Sequence, residues 1–270
     1  MQEAQVIEDV QNRPDSRRIP INQVGVRDLR YPIVVLDRDN GRQQTVAKLS
    51  MSVSLPHHFK GTHMSRFIEV LNEHRGEVTM RTLPAILHTL RERLDAERAR
   101  VEVAFTYFLE RTAPVSGSKA LVDYECFFVG ETSSTNDDFV LGVRVPVTTL
   151  CPCSKEISDY GAHNQRGYVT IEVRSTQTDD ESPQLIWVEE LIEIAEKSGS
   201  APVYSLLKRS DERYVTMQAY DNPVFVEDMV RNVAVRLQGD ERVAAFKVHA
   251  LNDESIHNHS AFAQVEWERP

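Results

Sequence analysis

Cysteine is scarce in this sequence: 270 residues contain only Cys126, Cys151 and Cys153. So few, and an odd number, exclude a disulfide framework. No apolar run approaches the ~18 residues of a membrane-spanning helix, so no membrane partner is expected. The opening stretch MQEAQVIEDVQNRPDSRR lacks the basic-then-apolar order of a secretion signal, and the expectation is a cytoplasmic protein. Nor is there a basic tract: 31 Lys and Arg stand against 41 Asp and Glu, a net charge of -10. A folded nucleic-acid binder presents a basic face that displaces counterions, so neither DNA nor RNA is expected as a partner. An acidic chain can still bind a small anion where a few Lys and Arg residues converge.

What is present is ordinary in amount and specific in order. A hydrophobic fraction of 41% suffices for a buried core. Residues 1–20 are polar, carry Pro14 and Pro20, and read as a flexible arm. VRDLRYPIVVLD and QQTVAKLSMSVSLP then read as two strands, with an Asn-Gly hairpin turn in DNGR (39–42). Met64, Phe67, Ile68 and Leu71 recur at helical spacing. So do Leu83, Ile86, Leu87, Leu90 and Leu94, behind a capping Thr82. The segments 101–111 and 121–130 read as two closing strands.

After the polar stretch ETSSTNDD (131–138), read as a linker, the same order begins again. Segments 139–150 and 167–175 read as strands, and 176–184 as a surface loop. Val188, Leu191, Ile192 and Ala195 mark a helix that Ser198-Gly199 can end. A second helix is expected to begin with Asn222 as N-cap and Pro223 at the first helical position, with Val226, Met229, Val230, Val233 and Leu237 facing inward. Segments 242–251 and 260–268 complete the set. The expected class is α+β: two tandem ββααββ units, 21–135 and 136–270, with antiparallel sheets and helices on one face.

The two copies differ in their turns. Where the first turns on Asn40-Gly41, the second carries CPCSKEISDYGAHNQ (151–165), and such extra length usually serves a function. In an antiparallel unit whose helices run back along the sheet, both hairpin turns and the helix–helix connector fall at the same end. In the second copy those loops are 151–165, 201–215 and 252–260. They contain Cys151, Cys153, His163, Glu212, His257 and His259, whereas the equivalent loops of the first copy hold no Cys or His.

Thiolate, imidazole and carboxylate suit zinc and tolerate manganese or iron, with Cys151, His163, Glu212 and His257 as the ligand set. A Cys–His pair twelve positions apart (151 to 163) is equally compatible with a catalytic thiol, or with loop residues that share no role. Convergence of three loops favours the metal. Cys126, in the apolar run DYECFFVG, reads as a buried inert thiol.

CPCSKEISDYGAHNQRG, KRSDERYV, AYDNPVFVED and NDESIHNHSAF resemble segments of the prokaryotic type IB GTP cyclohydrolases, in the same order. The resemblance runs from about residue 20 through most of the chain. It implies the tunnelling fold, a homotetramer, and conversion of GTP and water to 7,8-dihydroneopterin triphosphate and formate, the entry to folate-type pterins. By position it implies Cys151, His163, Glu212 and His257 as metal ligands, with Cys151 and His163 also serving the chemistry. Glu227 is implied as the carboxylate that binds the purine. No Cys-Glu-His-His segment occurs, which disfavours the related type IA enzymes.

Plainer roles stand beside these. Glu227 falls early in a helix, where the dipole favours acidic residues. Cys153 reads as a bystander, and Glu254 as either an orienting group for a ligand histidine or a solvated carboxylate. Lys155, Arg166, Lys208 and Arg209 are the cations near the loops. His57, His58 and His63 fall at the far end of the first copy and read as surface or subunit-contact residues. Two rivals remain: a tunnelling-fold thiol enzyme of nitrile reductase type with Cys151 as nucleophile, and a non-catalytic metal-stabilised assembly protein.

Overall fold

A computed structural model describes residues 11, 13–74, 77–79, 81–177 and 184–270. The reading of 176–184 as a loop falls mostly outside them, as do residues 75, 76 and 80 of the first helix–helix connector and residues 1–10 of the arm. Gln11, Arg13 and Asp15 are tied by backbone hydrogen bonds to Gly61, Lys60 and His58. Among the described residues no helix is long and apolar enough to cross a membrane.

The chain forms two compact units. The first draws its described residues from Met1–Leu36, Gln44–Ala104 and Phe128–Phe139. It contains most of β1 (Ile21–Asp37) and β2 (Gly41–Leu55), then α1 (Met64–Glu73) and α2 (Leu83–Arg93). It also takes the near ends of β3 (Ala99–Thr112), β4 (Lys119–Thr132) and β5 (Asp137–Leu150), neighbours in that order. Alternation along β2 puts Ala47, Leu49, Met51 and Val53 on one face, each 1–2% exposed. Phe67, Val70 and Leu71 of α1 and Leu83, Ile86, Leu87 and Leu90 of α2 are buried too, and the two helices pack on each other. Each buried aliphatic or aromatic side chain contributes about 1.5–3 kcal/mol.

The second unit comprises Asp37–Gln43, Phe105–Phe127 and Val140–Pro270. It adds α3 (Pro152–Ile157), β6 (Asn164–Ser175), α4 (Val188–Glu196), β7 (Ala201–Pro202), α5 (Arg209–Asp221), α6 (Val226–Gln238), β8 (Val243–Asp253) and β9 (Ala261–Glu268). Its strands run β4-β5-β6-β8-β9, with β7 beside β5. The pairs β5–β6, β5–β7, β6–β8 and β8–β9 are antiparallel. Leu191, Ile192 and Ala195 of α4 and Met229, Val230, Val233 and Leu237 of α6 cover one face of the sheet, where Val145, Val147, Val169, Ile171, Val248 and Ala250 are fully or almost fully buried.

Three sequence expectations change at this level. Three helices, not two, lie between β6 and β8. The loop expected over 201–215 contains the start of α5, which has no apolar stripe and buries only Asp211 and Ala219. Its start is fixed instead by Asp211, whose carboxylate accepts the Lys208 N–H at 2.8 Å, as an N3 acid does.

Asn222 is not the N-cap of the last helix. It ends α5, its side-chain amide donates to the carbonyls of Gly199 and Ser200, and α6 begins after Phe225. Pro223 disfavours helical geometry at Asn222, and the Val224 N–H goes to Leu150 O. The supposed linker is a four-residue turn, because β4 runs to Thr132 and β5 starts at Asp137.

In the turn between β1 and β2 only Gly41 takes a positive φ (79°). Buried Asp37 closes that turn by accepting from the N–H groups of Asp39 (3.0 Å) and Asn40 (2.7 Å). The turn therefore depends on a carboxylate as much as on Asn-Gly.

Candidate active site

The register of β5 and β6 ends at Leu150 opposite Asn164. One further backbone bond, Cys151 N–H to His163 O at 3.2 Å, makes those two residues cross-strand neighbours despite the loop between them. The loop's first part is α3, with Cys151 at its N-cap and Pro152, which has no N–H to satisfy, in the first turn. Ser154 ties the two ends together. Its N–H donates to Cys151 Sγ (3.4 Å) and its hydroxyl accepts the His163 N–H (2.8 Å). Cys151 is half-buried and unbridged, and Cys153 is exposed.

The β6–β8 register brings the third segment alongside. Arg166 pairs with Asp253, so the residues just beyond, Gln165 and Glu254, stand across from each other. Gln165 Nε2 donates to Glu254 Oε1 at 3.4 Å, and Gln165 Oε1 lies 3.0 Å from His163 Nδ1. Ser255 Oγ is 3.3 Å from the same nitrogen. Glu254 therefore touches the histidine through Gln165, and Gln165 and Ser255 are site residues that the sequence reading missed. Their signal was positional: Gln165 is two residues from His163, on the same side of a strand.

His257 lies exposed in the β8–β9 hairpin, its ring stacked on His259 at 5.2 Å. Glu212 occupies the exposed first turn of α5. The end of α5 that meets the Cys151 loop is the other one: Lys155 Nζ donates to Tyr220 O at 2.6 Å and lies 4.3 Å from the Tyr220 ring centroid. Eight residues of helix separate Tyr220 from Glu212, about 12 Å along the axis. Among the described residues no group of three or more Cys, His, Asp or Glu side chains is gathered closely enough to hold an ion. The structure thus joins Cys151 to His163 and does not bring Glu212 or His257 to them.

Glu227 is in the first turn of α6, exposed. Lys155 is committed to Tyr220, whereas no ion pair engages Arg166, Lys208 or Arg209 among the described residues. Below the loops, Thr149 Oγ1 and Asn252 Oδ1 are buried without a protein partner among the described residues. A Cβ at Gly167 would sit 2.8 Å from that Asn252 oxygen, so any larger residue there would have to displace the Asn252 side chain. Cys126 is 2% exposed, and burial pushes its thiol well up, which makes it the inert residue expected.

The donor chemistry fits a divalent metal. Cys151 Sγ receives only one weak N–H, and a histidine held at Nδ1 keeps Nε2 for a ligand bond.

Comparisons with known proteins bear on the fold and the family. By structure the chain is similar to the uricase of Arthrobacter globiformis (TM-score 0.55, 12% identity, covering 92% of this chain and 93% of that one). It is also similar to the urate oxidase of Bacillus subtilis (TM-score 0.53, 9% identity, 92% and 98%). At such identity the likeness establishes the fold alone, the tunnelling fold. By sequence it is 55% identical over 263 residues to GTP cyclohydrolase FolE2 of Citrifermentans bemidjiense, covering 97% of this chain and 96% of the relative. It is 56% identical over 260 residues to GTP cyclohydrolase FolE2 of Syntrophus aciditrophicus, covering 96% and 99%. The family model described as Type I GTP cyclohydrolase folE2 matches residues 7–263, a span that includes every residue assigned above to the site, and the chain belongs to that family.

Proposed function

We propose that this chain is a metal-dependent GTP cyclohydrolase of the type IB kind. It would convert GTP and water to 7,8-dihydroneopterin triphosphate and formate at the head of folate and pterin biosynthesis. The observation that carries the proposal is the Cys151–His163 pair, closed by a backbone bond at the end of β5–β6, within a chain that matches the family from residue 7 to 263. In this reading Cys151 and His163 are ligands and serve the chemistry, with Glu212 and His257 completing the set. Both of the last two are exposed and stand apart from the Cys151–His163 pair among the described residues, so their part in the set rests on the resemblance.

A zinc, manganese or iron ion held there would supply Lewis acidity to the water that adds at C8 of guanine. The remaining work falls to side chains. The Glu227 carboxylate is assigned to guanine N1–H and the exocyclic amino group, a bidentate pairing that adenine cannot offer. A site histidine, His163 or His257, is assigned to carry a proton between bulk water and the purine. Arg166, Lys208 and Arg209 are the cations available to a triphosphate.

We read the chain as tandem units 21–135 and 136–270 after an arm of 1–20, associating as a homotetramer. The support is the resemblance, together with β9, an edge strand whose Phe262 is 67% exposed. Incubation with GTP and a divalent ion should yield pterin fluorescence and one formate per GTP. GTP that persists unchanged with metal-loaded protein would refute the proposal.

A further inference from the structure

We propose that Glu254 and Gln165 form a positioning relay that fixes the tautomer of His163 and leaves its Nε2 bare for a divalent ion. The inference rests on the reading of His163 as a ligand and needs nothing from GTP turnover. Its force lies in a polarity that runs one way.

An ionised carboxylate only accepts hydrogen bonds, so Glu254 Oε1 takes an N–H of Gln165 Nε2 (3.4 Å). With that end of the amide turned to Glu254, Gln165 presents Oε1 to His163 Nδ1 at 3.0 Å. An amide oxygen also only accepts, so the hydrogen of the imidazole must be on Nδ1. Ser255 Oγ, 3.3 Å from Nδ1, is then a second acceptor for the same N–H. Both contacts converge on one ring nitrogen, and in a neutral ring the other keeps its lone pair. The hydrogen bond at one nitrogen of a histidine sets which nitrogen can bind metal.

The fold enforces the relay rather than permitting it. Gln165 is the last but one residue of the β5–β6 register, opposite Thr149, and Arg166 is held opposite Asp253. His163 and Gln165, two apart on an extended segment, share a side. The backbone bond from Cys151 N to His163 O prevents His163 from turning away. Removing the Gln165 oxygen leaves Ser255, on an exposed loop, as the one remaining partner of Nδ1.

The test uses full-length protein labelled with nitrogen-15 histidine, stripped of metal, with His163 assigned by the signal lost in His163→Asn. Two-bond nitrogen–proton correlations identify the tautomer, and competition with a chelating dye gives the affinity for zinc alone. We expect Nδ1–H in the parent protein, mixed tautomers in Gln165→Leu, and restoration of Nδ1–H in Gln165→Glu, which keeps an acceptor. Zinc affinity should fall by about 10–100-fold in Gln165→Leu, the usual effect of losing an outer partner. Glu254→Leu should shift the tautomer in the same direction by freeing the amide to rotate.

Hydrogen on Nε2 in the metal-free parent overturns the relay, as does Gln165→Leu with the parental tautomer and zinc affinity. Equal loss of zinc in Gln165→Leu and Gln165→Glu with the tautomer unmoved would make Gln165 a packing residue and also overturns it. If tautomer and zinc binding behave as expected but GTP is not turned over, the relay stands and the cyclohydrolase proposal falls.

Discussion

Replacing Tyr107 by Phe should destabilise the protein by about 1.5–3 kcal/mol, more than its size suggests, because the hydroxyl serves a buried charge. Glu189 is 1% exposed. Its Oε1 accepts from Tyr107 OH at 2.6 Å and from the Arg38 N–H at 2.7 Å, while Oε2 is buried with no protein partner among the described residues. Burial, and then the Glu189 carboxylate itself, push the Tyr107 hydroxyl well above its ordinary value, so it remains a donor across the working pH range. The substitution keeps the ring, so no cavity term enters. What is lost is one hydrogen bond to a charged acceptor, leaving that acceptor with the Arg38 N–H alone.

Denaturant unfolding at neutral pH and fixed protein concentration measures the loss. A double-mutant cycle with Glu189→Gln isolates the pair. The coupling should be a substantial share of the single-variant cost. A Tyr107→Phe protein within about 0.5 kcal/mol of the parent, the range of an ordinary surface change, would refute the reasoning.

Three further outcomes are expected. Cys151→Ala should lose bound metal and GTP turnover together, while Cys153→Ala, altered at an exposed side chain, should retain both; equal loss in elemental analysis would show that the Cys-Pro-Cys assignment is wrong. Glu227→Gln should weaken GTP binding by about 1–3 kcal/mol with metal content unchanged, since the amide turns a donor toward a guanine N–H; normal turnover at subsaturating GTP would remove Glu227 from the site. Asp37 gives an acid-side signature. Burial raises its pKa, but hydrogen bonds from Asn40, Asp39 and Gln43 outweigh burial and hold it below the usual value. Its contribution is therefore full above the unfolded value of about 3.9 and is lost as pH falls through the depressed folded value. Thermal melts of Asp37→Asn should show a shallower decline into acid, and an unchanged acid limb would dismiss the turn carboxylate as a stabilising group.

The sequence by itself determined the elements whose periodicity is written in apolar residues. The alternation in β2, the stripes of α1, α2, α4 and α6, and the long β5–β6 turn were legible because burial of one face requires a pattern of period 2 or 3.6. Cys151 and His163 were legible as a pair because a hairpin must bring the ends of its loop together. The sequence could not disclose α5, which buries a carboxylate and an alanine instead of a stripe, nor the reassignment of Asn222 from the start of one helix to the end of another. Asp211 is the sharpest case: it accepts the N–H groups of Val115 and Ser116 at 2.8 Å each, across nearly a hundred residues, and no local pattern signals such a partner. Gln165 and Glu254 likewise acquire a role only through the β6–β8 register. Hydrophobic periodicity is a local property of the chain, whereas hydrogen-bond partnership between distant polar groups is created by strand register and helix placement, and only the tertiary structure decides it.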